Sequence, residues 1–431
     1  MGRALGANAQ VAAAFAPSYG AVPASGYRLL PIAGRVELGD EQGLVESDLL
    51  GFGRDPQEPG DDVINNTGSA TVPVDLRNIG FWLKLLFGHP TTTAGLPGKG
   101  SIAFSAQPAS NATLTINGTT VTFVTGTPSG SQVKIGAGLA ETITNLVLFL
   151  NASADANVSV ASYSADPDLT TLQVAHDTQG TAGNSFTLAA STTPASNATV
   201  SAATLAGGSA SGAYRHVWVP GALVLPDAAV EIGNPDVPNY AMNYGVQAES
   251  IKIGLQRSGL LNADIALFAQ GEKPATSTTA TGSQTSWPVQ RFSQFAGGVR
   301  RSGVPLARMN SGNFSIANGM EKDESIRPDG RIGGADPGML KMMGDVVLRF
   351  ADNVLYDLAT SKTPIELAYG WTIPNTSYSL EFLFHRVRLP KKRAPITGPG
   401  GIQRSFDWMA AEDQVLNKSA TITLFNDVAS Y

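Results

Sequence analysis

Residues 250–268 read SIKIGLQRSGLLNADIALF, and this stretch decides the fold class. Ile251, Ile253 and Leu255 alternate with small or polar residues. A turn follows at Arg257-Ser258-Gly259, and Ala263, Ile265 and Leu267 return with the same period. A period of two places successive side chains on opposite faces of a strand, so the apolar set faces a core. The other face then carries Ser250, Lys252 and Gln256 on the outgoing strand and Asn262 and Asp264 on the return. Phe268 falls on that polar side, out of pattern. Residues 250–268 therefore predict an antiparallel hairpin with one buried and one wet face.

Outward from this hairpin, the chain reads as one unit written twice. Ala70, Val72 and Val74 alternate as a strand, and a helix with Ile79, Trp82, Leu83 and Leu86 follows. Val346, Leu348 and Phe350 repeat the alternation, and Ala351, Val354, Leu355 and Leu358 repeat the helix. Each set lies at i, i+3, i+4, i+7, one face turned to a sheet. Each helix leads to a β region, residues 246–271 in one copy and 379–426 in the other. There Leu380, Phe382 and Phe384 lead out and Ala420, Ile422 and Leu424 return. Ahead of each strand–helix pair lies a charged, glycine-containing loop, residues 39–62 and 318–337. The repeat rests on element order, since literal identity is slight.

Residues 101–210 interrupt the first copy. They hold one lysine (Lys134), no arginine and five acids (Glu141, Asp155, Asp166, Asp168, Asp177). Turn-forming stretches, TAGLPGKG (93–100) and AGGSASG (206–212), flank the block. Inside it, Leu114, Ile116 and Val121, Phe123 flank Asn117-Gly118, a strong hairpin signal. Leu139, Ile143, Leu146 and Leu150 stand at helical spacing, and Leu172, Val174, Phe186 and Leu188 suggest further strands. The expected fold is mainly β: two tandem sandwich or barrel domains with one flanking helix each, plus a small inserted α+β domain. The boundaries are an extended arm (1–26), the first domain (27–99 and 213–275) around a peripheral insert (100–212), a linker (276–300) and the second domain (301–431).

Composition narrows the function. Charged residues make up 15% of the 431 against about 25% in ordinary soluble domains, a surface suited to being covered by neighbours. Net charge is −6, so no basic footprint for gripping nucleic acid exists. The chain has no cysteine, which removes disulfides, thiolate zinc sites and cysteine nucleophiles. Its four histidines (His89, His176, His216, His385) share no metal-ligand spacing. No catalytic, cofactor or metal residue is expected. The acids Glu321, Asp323, Glu324 and Asp329 lack the ligand pattern of a calcium loop and read as a solvated loop at a subunit boundary. Gly398–Gly401 is not set between strand and helix, against a phosphate cradle. The basic run RVRLPKKR (386–393) reads as a solvated hairpin end, or a patch for the acidic loops of an adjacent subunit, rather than a nucleic-acid contact. The alanine-rich residues 1–26 are broken by Asn8, Gln10, Pro17 and Ser18, so they read as an extended arm packing on a neighbour rather than a signal peptide. No run approaches the length of a membrane-spanning helix.

Outside the insert the chain resembles the phage tail tube protein family, in the larger form found in siphophages. The resemblance is carried by YRLLPI (27–32), NIGFWLKLLFG (78–88), HVWVPGALVLPDAAVEI (216–232) and the hairpin region 244–271. The insert, with LTING (114–118) and GTAGN (180–184), resembles modules that recur in phage tail proteins. The resemblance implies a structural virion protein, assembled in the host cytoplasm, whose subunits form rings that stack into a hollow tube. DNA would transit the lumen without specific binding, and the partners would be further copies and other tail proteins, with no membrane. A duplicated chain would close a pseudo-sixfold ring from three copies, with six as the alternative. Ser250, Lys252, Gln256, Asn262 and Asp264 would then line the lumen. Two rival readings remain: another virion component, such as a capsid-decorating or baseplate protein, and a secreted adhesin or outer-membrane barrel.

Overall fold

The strand that carries Ile251, Ile253 and Leu255 runs for 17 residues, Asn239–Leu255, and its two halves serve two different sheets. The computed structural model describes residues 3–281, 284–306, 308–396 and 398–431.

In chain order the elements begin with β1 (Gln10–Phe15), β2 (Arg28–Leu29), β3 (Val36–Glu37), β4 (Asp40–Val45), β5 (Gly60–Pro73), helix α1 (Ile79–Phe87) and β6 (Thr91–Phe104). Next come β7 (Thr113–Ile116), β8 (Thr119–Val124), β9 (Gln132–Lys134), α2 (Leu139–Asn151), β10 (Ala161–Ala165), β11 (Thr171–Gln179), β12 (Leu188–Ala190) and β13 (Ala198–Val200). The chain continues with β14 (Ser209–Trp218), β15 (Ala228–Asn234), β16 (Asn239–Leu255), β17 (Asn262–Ala269) and β18 (Gly271–Ala275). Then follow β19 (Gly297–Arg301), β20 (Val304–Pro305), β21 (Met309–Ala317), β22 (Glu321–Asp323), β23 (Gly334–Asp336) and β24 (Lys341–Arg349). The chain ends through α3 (Val354–Thr360), β25 (Ile365–Thr372), β26 (Ser379–Arg388), β27 (Gln403–Ala411) and β28 (Ala420–Asn426). The fold is mainly β.

One pairing scheme occurs twice. In the first set β1 pairs with β2 and β15, β15 with β16, β16 with β18 and β17, β17 with β5, and β5 with β4. In the second set β19 pairs with β20 and β25, β25 with β26, β26 with β28 and β27, β27 with β24, and β24 with β21. Every pair is antiparallel, and a helix follows β5 and β24 alike. A bulge falls at the same place in both, after the Ala228–Val246 partners and after the Ile365–Val387 partners. The two sets join where the second half of β16 pairs with β21.

A continuous row β4-β5-β17-β16-β21-β24-β27-β26 therefore forms one sheet, with β3 extending β4 along β5 and β26 joining through Arg386–Arg388. The second layer holds β2-β1-β15-β16-β18 and β20-β19-β25-β26-β28, the latter extended by β14 and β6. Ile251, Ile253, Leu255, Ala263, Ile265 and Leu267 are all buried in a single core shared by both sets. Phe314 sits at the junction with ring centroids 5.0 Å from Tyr369 and 4.7 Å from Phe382.

Several expectations change. Residues 10–15 form a strand of the body rather than an arm: Val11 and Ala13 face the main core while Ala12 and Ala14 face a second cluster with Tyr27 and Met242. A strand buried on both sides by close layers needs small side chains, which is why alanine dominates there. Helix α1 is buried on every side, not one, and a Cβ on Gly80 would meet the Tyr431 ring at 2.2 Å. Helix α3 starts only at Val354, whose N–H bonds Asp352; it buries Leu355 and Ala359 and leaves Val354 46% exposed, and Ala351 precedes it. The expected linker is partly built in: Thr278, Thr279 and Ala280 together bond the buried carboxylate of Glu231, and β19 begins at Gly297.

The insert has its own core of Leu114, Ile116, Phe123, Ile143, Leu146, Leu172 and neighbours. Asn117 and Gly118 take positive φ of 46° and 88°, as a tight hairpin turn requires. Its flanks are not turns. TAGLPGKG lies inside the 14-residue strand β6, and β14 returns beside it. Glycines make this possible: a Cβ on Gly98 would come within 2.9 Å of the Gly183 backbone. The insert touches the host at the β19–β20 turn, where Ala165 N–H bonds Gly303 O at 3.2 Å and Val304 joins the insert core.

A polar sheet face as the candidate functional site

The face of the long sheet opposite the core is built by the same alternation that buries Ile251 and Ile253. Strand registers align its side chains in rows. One row runs Glu37, Ser69, Ala266, Ser250, Ala317, Lys341; the next runs Thr71, Asp264, Lys252, Ser315, Met343, Met409. A third contains Gly254, Asn313, Asp345 and Asp407.

The structure brings Ser250, Lys252, Asn262 and Asp264 onto this face. Lys252 and Asp264 are direct cross-strand partners and both are exposed. Asp264 also accepts a hydrogen bond from Thr71 Oγ1 at 2.7 Å. Asn262 is half-buried, and its side-chain oxygen takes the Arg291 guanidinium. Gln256 lies one residue past β16 and does not belong to the sheet face; its N–H bonds Gln294 Oε1 at 3.0 Å. Phe268 is buried where residues 318–340 cross this face, with Lys322 Nζ 5.5 Å from its ring centre. That cover resolves its place on the polar side.

Residues 318–340 also reach the first set of strands. Arg331 forms an ion pair with Asp40, which raises the guanidinium pKa further, and Gly330 O accepts the Ile64 N–H at 3.0 Å. The expected loops are thus partly strands: β4 and the start of β5 lie inside 39–62, and β22–β23 form a hairpin inside 318–337.

Sequence reasoning missed Asp345, Asp407 and Lys341 on this face. Extending the Val346–Leu348 alternation by one residue would have found Asp345. The second hairpin was also mis-set. The counterpart of β16–β17 is β26–β27, whereas residues 379–384 pair with β28 in the other layer. Asn313 Nδ2 donates to Asp345 at 2.7 Å, and Lys392 pairs with Asp407 at 3.2 Å. The face mixes carboxylates, lysines and neutral polar groups. Among the described residues no three His, Cys, Asp or Glu side chains converge on a metal position. A broad, shallow, sign-balanced wall offers neither a cradle nor a nucleophile–base pair.

A family model described as "Phage tail tube protein" matches residues 6–410. No curated protein matches the chain. With nearly the whole length matched by one family, and a β-rich architecture to go with it, the chain belongs to the phage tail tube protein family and is a structural protein of the phage tail.

Proposed function

We propose that the chain carries two tube domains in tandem, and that three copies close a pseudo-sixfold ring that stacks into the tail conduit. The observation that carries this reading is the repeated pairing scheme, joined internally through β16 and β21. In a ring of single-domain subunits that junction would lie between chains. Here covalent linkage makes every second junction internal, so six domains need three chains. Closing the row β4-β5-β17-β16-β21-β24-β27-β26 into a barrel would remove the exposed edges at its two ends.

The polar face then lines the lumen. Its acids and lysines offset each other, so DNA phosphates meet no continuous basic stripe that would hold them. Assembly in the host cytoplasm and attachment to other tail proteins belong to the same reading. Native mass spectrometry and electron micrographs of the purified chain test it. Rings with the mass of three chains, and tubes built from them, are expected; a monomer at all concentrations would overturn it.

A further inference from the structure

The internal junction is a template for the junction between chains, and this inference rests on the ring just proposed. β15 leaves the flank of β16 at Val246, and β21 takes that flank over from Ser250 to Leu255. In the second set β25 leaves β26 at Val387, and among the described residues no strand takes the flank over. At the other end of the row, β21 lies between β24 and β16, whereas among the described residues the only strand that pairs with its counterpart β3–β4 is β5. Each end of the row therefore lacks the neighbour that its counterpart has inside the chain.

The registers fix which residues correspond. Val36 pairs with Ala70 and Ala70 with Ile265, as Gly312 pairs with Val346 and Val346 with Phe406. Leu38 thus stands where Phe314 stands, and both are buried. β26 ends at Arg388 opposite Met409 of β27, and from there to the start of β27 the described residues carry no ladder pairing. Lys392 reaches Asp407 on the polar face, while Lys391 turns the other way, its Nζ 5.6 Å from the ring centre of Tyr356 on α3. This alternation matches Lys392 with Lys252, and Lys391 with Ile251.

We propose that residues 390–395 of one copy add as an antiparallel strand to residues 36–41 of the next. Carried over from the β16–β21 register, Lys391 lies opposite Asp40 and Arg393 opposite Leu38. Lys392 lies opposite Gly39, with Glu37 and Glu41 to either side on the same face. The basic run meets the acids of the neighbouring edge in a register that combines the β16–β21 pairing with the opposite directions taken by the Lys391 and Lys392 side chains. Pro390 and Pro395 cannot donate to a ladder, which keeps the added strand short and discourages pairing with unrelated edges.

The test uses the absence of native cysteine. Glu37→Cys with Ala394→Cys places two thiols on directly opposed, polar-face positions of the proposed pair; Glu41→Cys with Ala394→Cys is slipped by four residues. Mild oxidation of assembled tubes should link chains in the first double variant and leave the second as monomers on denaturing gels. Intact tubes with no link at 37–394 overturn the register while leaving the ring standing. No rings or tubes from the unsubstituted chain overturn both. Reversing Lys392 to Glu should raise the concentration needed for assembly by roughly tenfold or more, and Glu37→Lys with Glu41→Lys should restore it. Assembly indifferent to the reversal overturns the charge match.

Discussion

Replacing Phe314 with alanine probes the shared core where it is most exposed to failure. Phe314 is fully buried, and its ring centre lies 4.7 Å from that of Phe382, 5.0 Å from Tyr369 and 5.5 Å from Phe384. Removing the ring beyond Cβ takes away roughly 120 Å² of buried apolar surface, about 3 kcal/mol at ~25 cal/mol per Å². The lost aromatic pairs and an incompletely collapsed cavity add about 1 kcal/mol more, within the ~3–5 kcal/mol usual for buried Phe→Ala. Phe314 belongs to the second set of strands but pairs with Ile253 of the first, so the loss should weaken both together. Guanidinium denaturation of the monomeric chain, followed by tryptophan fluorescence, should show Phe314→Ala shifting the host transition as one step. A loss below about 1 kcal/mol, or unfolding of residues 309–426 with the first set intact, would refute the single-core reasoning.

Other predictions follow from particular side chains. Burial, and then the nearby Glu381 carboxylate, push the Glu366 pKa up to about 7 from 4.5. The folded state thus holds a proton that the unfolded state has released, so stability falls as pH rises from 4.5 to about 7. Glu366→Gln should remove that decline and be the more stable protein at pH 8 by about 2 kcal/mol, the shift being discounted for partial exposure; parallel melting curves at pH 4.5 and pH 8 check it. Leu146→Ala, in the middle of α2, should destabilise the insert by about 2–4 kcal/mol and leave the host transition in place, as read by hydrogen exchange. Since Leu96 and Ser209 are cross-strand partners, replacing residues 97–208 by an Asn-Gly turn should leave a folded chain that still forms tubes; a well-folded deletion that no longer assembles contradicts a peripheral role. Residues 46–59 expose Leu49, Leu50 and Phe52, so protease should cut there quickly in monomers and slowly in tubes. Residues 318–337, held by the Arg331–Asp40 pair, should resist in both.

Legibility followed the strength of local signals. Strict period-two alternation identified β16 and β17 and the buried set Ile251–Leu267 residue for residue, and helical spacing identified α2 at Leu139–Asn151. Asn117-Gly118 marked its hairpin because a tight turn needs the left-handed backbone these residues accept. What failed depended on neighbours distant in sequence. TAGLPGKG reads as a turn by residue type, yet glycines 95 and 98 let β6 pass against other backbones as a strand. The alanines of β1 carry no alternation because both faces are buried. On the polar face, Lys252 and Asp264 were legible from the hairpin alone. Asp345 lay one residue beyond the Val346–Leu348 alternation, whereas Asp407 was not legible, because its place on the face comes only through the β24–β27 register.

An axial cryo-EM reconstruction of purified tubes tests the central claim most directly. The account predicts three chains per ring, six domains around the axis, Lys252 and Asp264 on the lumen wall and Ile253 behind it. Six chains in a ring, or Ile253 facing the channel, would contradict it.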